Sequence, residues 1–187
     1  MSARTETWPR PHRLTVHDYY RMAEVGLLSP GDRTELIEGV IIEMPPIGAE
    51  HASVVTLLTR RLLRAVGDSV EVRVQSPVRF MPRSEPQPDF ALVRRRADAY
   101  RQEHPTSKDI LLLIEVSEST LRYDLDTKAR LYSTHAVPEY WVVDLINRRI
   151  VRHRAPGAEE YAQRDEVASG VLPLPTLGAE ISLAGLF

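Results

Sequence analysis

Glu115 follows the apolar run Ile110-Leu111-Leu112-Leu113-Ile114 directly, with Val116 after it. A run this short and uniform reads as a strand buried on both faces. A carboxylate is almost never fully buried without a partner, because removing a lone charge from water is costly. Either the strand ends one residue early, or Glu115 meets a metal ion, a lysine or an arginine. The following helix, about 119–135, supplies a candidate. At ~100° per residue, Leu121, Leu125, Leu131 and Tyr132 make an apolar stripe roughly 120° wide. Lys128 projects near the middle of that stripe and Asp124 lies on its edge, while Arg122, Asp126, Arg130 and Ser133 take the opposite face. Two misplaced charges on adjacent elements suggest one site. One reading is a structural Glu115–Lys128 ion pair, with or without Lys128 carrying its amine out to solvent. Asp89 opens another. It begins a strand after Pro88, and that strand can lie beside 110–116. Two carboxylates and a lysine make a hard oxygen site for Mg²⁺ or Mn²⁺, with an ammonium ready to stabilise charge developing on phosphate.

The elements that must position these residues are readable in order. Thr15-Val16-His17-Asp18 offers an N-cap with an acid at N3, opening a helix that Gly26 and Ser29-Pro30-Gly31-Asp32 end. Residues 1–14 read as a flexible tail and 15–187 as a single domain. Two β-prone runs flank Glu38-Gly39 as a hairpin or bulged bend. Val54, Leu57, Leu58, Leu62 and Ala65 define an amphipathic helix from Gly48 to Val66, stopped by Gly67, with His51 in its first turn. Val70–Gln75 alternates as a strand, and 78–80 extends the sheet after Pro77. Strands are expected at 89–93, 110–116, 139–144 and 149–153, with weaker ones at 161–163 and 171–172. A short helix and loop are expected within 94–108, and one helical turn at 183–187. The fold class is α/β (α+β), a mixed sheet flanked by helices.

Composition narrows the function classes. With no cysteine among 187 residues, disulfides, iron–sulfur clusters and thiolate zinc sites are excluded. No apolar run approaches the ~18 residues of a membrane span, and no signal-peptide pattern is visible, so the expectation is a cytoplasmic protein without a membrane partner. A net charge of −2 argues against indiscriminate coating of nucleic acid. Arginine clusters at 60, 61 and 64, at 94–96 and at 148, 149, 152 and 154 are either local basic surfaces or solvated faces.

Pro88-Asp89 followed by Glu115-Val116-Ser117 at the end of an apolar strand resembles the PD-(D/E)XK nuclease superfamily. The wider pattern closely resembles one branch, the Uma-two family of restriction-endonuclease-like proteins, over roughly residues 15–187. That pattern comprises Glu35-Leu36-Ile37-Glu38-Gly39, His51, Gln87-Pro88-Asp89, Ile114 through Thr120, Asp124, Lys128, Tyr132 and Val137 through Asp144. The resemblance implies a restriction-endonuclease-like fold and a divalent-metal phosphodiesterase site. Asp89 and Glu115 match the metal-binding carboxylates. The superfamily lysine stands two residues after the glutamate, where this chain has Ser117, and the family pattern moves that role to Lys128 on the next helix. His51 and Glu35 match further family positions. His51 is a third metal ligand, a proton shuttle or a cap on its helix, and Glu35 completes the metal shell or pairs with Arg33. Asp124, four residues before Lys128, orients it; Glu38 belongs to the turn, and Tyr140 and Trp141 to the core. The expected function is Mg²⁺- or Mn²⁺-dependent endonuclease action on DNA, with a homodimer suited to cutting both strands. The alternatives are a non-catalytic module of the same fold that binds nucleic acid or protein, and a hydrolase of a small phosphorylated compound.

Overall fold

Thr15 opens the first helix with a capping box. In the computed structural model, which describes residues 9–29 and 31–187, the Asp18 N–H donates to the Thr15 hydroxyl at 3.1 Å. The Asp18 carboxylate in turn accepts the Thr15 N–H at 2.8 Å. Two donors that a helix start leaves unpartnered are thereby satisfied, and helix α1 (Val16–Glu24) follows. Of the expected tail, residues 1–8 lie outside the described residues, as does Pro30 in the expected stop signal; residues 9–14 form neither helix nor strand. Strands β1 (Thr34–Ile37) and β2 (Val40–Glu43) pair antiparallel. Their turn places Glu38 at φ 48° and Gly39 at φ 78°, the two positive values a tight hairpin turn needs. Gly39 is required for space as well, since a Cβ there would lie 2.7 Å from Arg13 Cβ. These elements and Met81–Glu85 belong to one compact unit of the chain.

The other unit, Pro45–Phe80 with Pro86–Phe187, holds the central sheet. Helix α2 (Ala49–Val66) runs from Gly48 to a stop at Gly67, where φ is 54°. Strands β3 (Val70–Val74), β4 (Phe90–Arg94), β5 (Ile110–Ser117), β6 (Glu139–Asp144), β7 (Arg149–Pro156) and β8 (Tyr161–Val167) stand in that spatial order. Every neighbouring pair is antiparallel except β5–β6. Parallel neighbours need a crossover, and the helical segment 121–134 (α3) supplies it. A small antiparallel pair, β9 (Val171–Leu174) and β10 (Ala179–Ser182), follows.

Strand alternation sorts the faces. Phe90, Leu92, Leu112, Ile114, Val116, Trp141 and Val143 pack with Val54, Leu58 and Leu62 of α2 in one apolar cluster. Glu115, Ser117 and Tyr140 point the other way and hydrogen-bond to α3. All eight residues of β5 are buried, so the strand does not end before Glu115.

Three local expectations fail for identifiable reasons. Residues 94–108 hold turns instead of a short helix: Asp98 accepts from Arg96 and from the Tyr100 N–H, and the Tyr100 hydroxyl donates to Arg94 O at 2.6 Å. Such side-chain-to-backbone bonds compete with helix, and Ala99 and Tyr100 have positive φ. Residues 78–80 form no strand, only isolated bridge positions at Arg79, paired with Thr106, and at Phe80. The C-terminal piece is not helical; Leu183 and Leu186 nevertheless join the α2-side core, and Gly185 turns between them at φ 63°. The arginine clusters are largely engaged within the protein. Arg61 donates to Ser182 O and Ala184 O, Arg95 to Asp68 O, and Arg152 and Arg154 to Asp165.

His153 on β7 is 5% exposed and lies between the Tyr140 and Tyr161 rings, with centroids at 5.5 and 5.7 Å. Burial, reinforced by Arg164, pushes its pKa down to about 4. An unfolded histidine titrates near ~6.5, so between those values the unfolded chain binds the extra proton. Stability is therefore whole above that window and falls as pH drops through it. His153→Phe keeps a ring in the stack and removes the titration. Relative to its own stability at pH 7, the variant should lose about 2 kcal/mol less than the parent at pH 5. Denaturant melts at both pH values test this, and equal losses in the two proteins would refute it.

Candidate active site

Glu115 is 4% exposed and Lys128 3% exposed. The Lys128 Nζ donates to Glu115 Oε1 at 3.0 Å, and the Tyr132 hydroxyl donates to the same oxygen at 2.9 Å. Two donors on Oε1 leave Oε2 turned toward Asp89, whose backbone N lies 3.4 Å away. The arrangement follows from strand ends. The β4–β5 ladder closes at Phe90–Ile114, while β5 runs on to Ser117, and the Asp89 carboxylate takes the Val116 N–H at 2.8 Å. The same oxygen, Oδ2, meets His51 Nε2 at 3.1 Å. The other, Oδ1, accepts the Gln75 side-chain amide at 3.1 Å. Gln75 is fixed in turn: its N–H donates to Asp89 O at 2.9 Å, and its carbonyl accepts from the Gln87 amide at 2.8 Å.

His51 from α2, Asp89 at the head of β4, Glu115 on β5 and Lys128 on α3 are thus brought together. Glu35 is buried in β1 of the other unit. Asp124 is also buried; its Oδ2 accepts from Ser117 Oγ at 2.8 Å and Thr120 Oγ1 at 2.6 Å, and its Oδ1 lies 3.9 Å from Lys128 Nζ. Trp141 sits in the core as its sequence context implies, its indole N–H donating to Glu139 at 2.7 Å. Burial holds the Glu139 carboxyl above its ordinary range, against that hydrogen bond and the nearby arginines.

Four polar residues of the site escape a reading of the sequence as a site. Tyr132 counts there as apolar stripe, although its spacing of four from Lys128 is the signal that both reach one acceptor. Ser117 is noticed only as a missing lysine. Thr120 enters the family pattern without a role of its own, and Gln75, at the end of an alternating strand, carries no distinguishing signal.

The donor chemistry fits a hard divalent cation. Among the described residues, the partners of the Asp89 carboxylate are an imidazole, a side-chain amide and one backbone N–H, and none is a lysine or arginine. A carboxylate oxygen has two lone pairs, so Oδ1, with the Gln75 amide as its single donor, keeps acceptor capacity. No group of three or more Asp, Glu or His side chains converges as a metal cage among the described residues. Mg²⁺ is commonly held by one or two carboxylates, with water and substrate phosphate completing its shell, so two acids suffice.

A family model described as "Putative restriction endonuclease" matches residues 16–184. The chain belongs to the Uma2 family. Among solved structures, one described as a "putative nuclease belonging to DUF820 from Anabaena variabilis ATCC 29413" resembles this Uma2 chain with a TM-score of 0.69. The match covers 93% of this chain and 97% of that one at 16% identity. The mixed sheet flanked by helices is therefore a restriction-endonuclease-like fold, and family membership makes the chain a nuclease-family protein. A comparison with curated proteins finds no match. Among the described residues, no helix is long and apolar enough to cross a membrane.

Proposed function

We propose that this Uma2 protein is an endonuclease that hydrolyses DNA phosphodiester bonds in the cytoplasm, using Mg²⁺ or Mn²⁺ held by Asp89 and Glu115. The observation that carries this reading is the meeting of two buried acids, the Asp89 N–H lying 3.4 Å from Glu115 Oε2, with the Lys128 ammonium 3.0 Å from Glu115 Oε1. When bound, a divalent ion supplies Lewis-acid polarisation and offsets the charge of the phosphodiester. Lys128 stabilises the negative charge that builds on the phosphoryl oxygens, from a site where little water competes. His51, hydrogen-bonded through Nε2 to Asp89, takes up or returns the proton of the reaction. Gln75 and Tyr132 keep the two carboxylates aimed. A second copy of the chain would serve the second strand of a duplex.

Supercoiled plasmid incubated with the protein and millimolar Mg²⁺ or Mn²⁺ should be converted to nicked and linear forms, and a chelator should stop the conversion. Raising the salt should weaken DNA binding. Binding to DNA without cleavage in either cation would favour the non-catalytic module. Cleavage undiminished by chelator would sink the metal assignment.

A further inference from the structure

Asp124 is fixed more firmly than a residue that merely faces a lysine. Ser117 and Thr120 hydroxyls both donate to its Oδ2, at 2.8 and 2.6 Å, and its own carbonyl accepts the Tyr140 hydroxyl at 3.1 Å. It is 3% exposed. It also begins a π-helical turn, Asp124–Lys128, in which the Ala129 N–H reaches back to the Asp124 carbonyl. Isolated π turns inside helices are uncommon and often lie at functional sites.

The geometry is a two-rung ladder. Residues two apart on a strand stand about 6.6 Å apart, close to the rise of one helical turn, about 5.4 Å. Ser117 on β5 therefore meets Asp124, while Glu115 meets Lys128 and, one turn on, Tyr132. Lysine is a flexible chain with three donors and no fixed fork. One donor is directed to Glu115, and Asp124 Oδ1 lies 3.9 Å away on the Ser117 side.

We propose that Asp124 is a positioning residue for Lys128, and that Ser117 and Thr120 brace it for that task. Ser117 thereby contributes to the site indirectly, from the strand position two residues after Glu115. The proposal rests on the nuclease reading for its catalytic consequence, but not for the ordering of the Lys128 ammonium.

A double-mutant cycle with two readouts tests it. On cleavage, Asp124→Asn should lower kcat by about 30-fold with little change in KM, the scale of losing one close ion-pair contact in a buried site. Ser117→Ala with Thr120→Val should give about 10-fold. In a Lys128→Met background, Asp124→Asn should add less than about 2-fold, because it acts through the lysine. Losses that multiply in the double variant would overturn the proposal. Independently, ¹⁵N-lysine NMR of the full chain should show a slowly exchanging Lys128 ammonium that is lost in Asp124→Asn and weakened in the Ser117/Thr120 variant. An unchanged resonance would also overturn it. Should the parent protein cleave nothing, the nuclease reading falls and the NMR readout alone decides. If Asp124→Asn fails to fold, the Ser117→Ala and Thr120→Val variants carry both readouts.

Discussion

Lys128→Met should slow plasmid cleavage by about 10²- to 10³-fold, the scale of removing one preorganised electrostatic stabiliser from a water-poor site. Methionine approximates the length of the lysine stem, so the packing of α3 against β5 is largely kept. The ammonium 3.0 Å from Glu115 is lost. Removing one partner of a buried ion pair typically costs about 3–5 kcal/mol, and a loss of that size is expected in denaturant melts. The two readouts together separate a catalytic lysine from a structural pair. A purely structural pair predicts the stability loss with unchanged turnover at temperatures where the variant is folded. A catalytic lysine predicts both losses.

Asp89→Asn should behave in the opposite way for stability. It keeps the shape of the side chain and removes a buried charge that faces no lysine or arginine among the described residues. Gln75 can reverse its amide to accept from the new side chain, so the metal-free variant should melt within about 1 kcal/mol of the parent. The response to cation is where the two diverge. The parent should gain about 2.7 kcal/mol at a Mn²⁺ concentration 100 times its dissociation constant. Asp89→Asn should gain almost nothing, and its cleavage rate should fall by about 10³-fold or more. Thermal melts with and without Mn²⁺ measure this directly, and an equal cation response in both proteins would remove Asp89 from the metal site.

Strong local signals in the sequence carry over to the structure. The Thr15–Asp18 box, the Glu38-Gly39 turn and the Gly67 stop each depend on a few neighbouring residues, and each appears at its expected place. The charges at Glu115 and Lys128 are conspicuous because their surroundings are apolar, and they do meet. Elsewhere the outcome is decided by partners distant in sequence. Nothing local says that Gln75 will reach Asp89, or that Ser117 will bond to Asp124. The π turn lies beyond a pattern read at 100° per residue, because a widened turn leaves residues four apart on nearly the same face. The 94–108 segment turns because Asp98 and Tyr100 bond to local backbone, a competition that composition alone does not decide.

Anomalous diffraction from crystals soaked in millimolar Mn²⁺ puts the metal assignment at most direct risk. One strong peak should appear within coordination distance of both the Asp89 and Glu115 carboxylates, with the Lys128 ammonium remaining beside Glu115. Ordered carboxylates with no peak between them at that concentration, or a peak bound elsewhere while this site stays bare, would contradict a divalent-metal nuclease built on these residues.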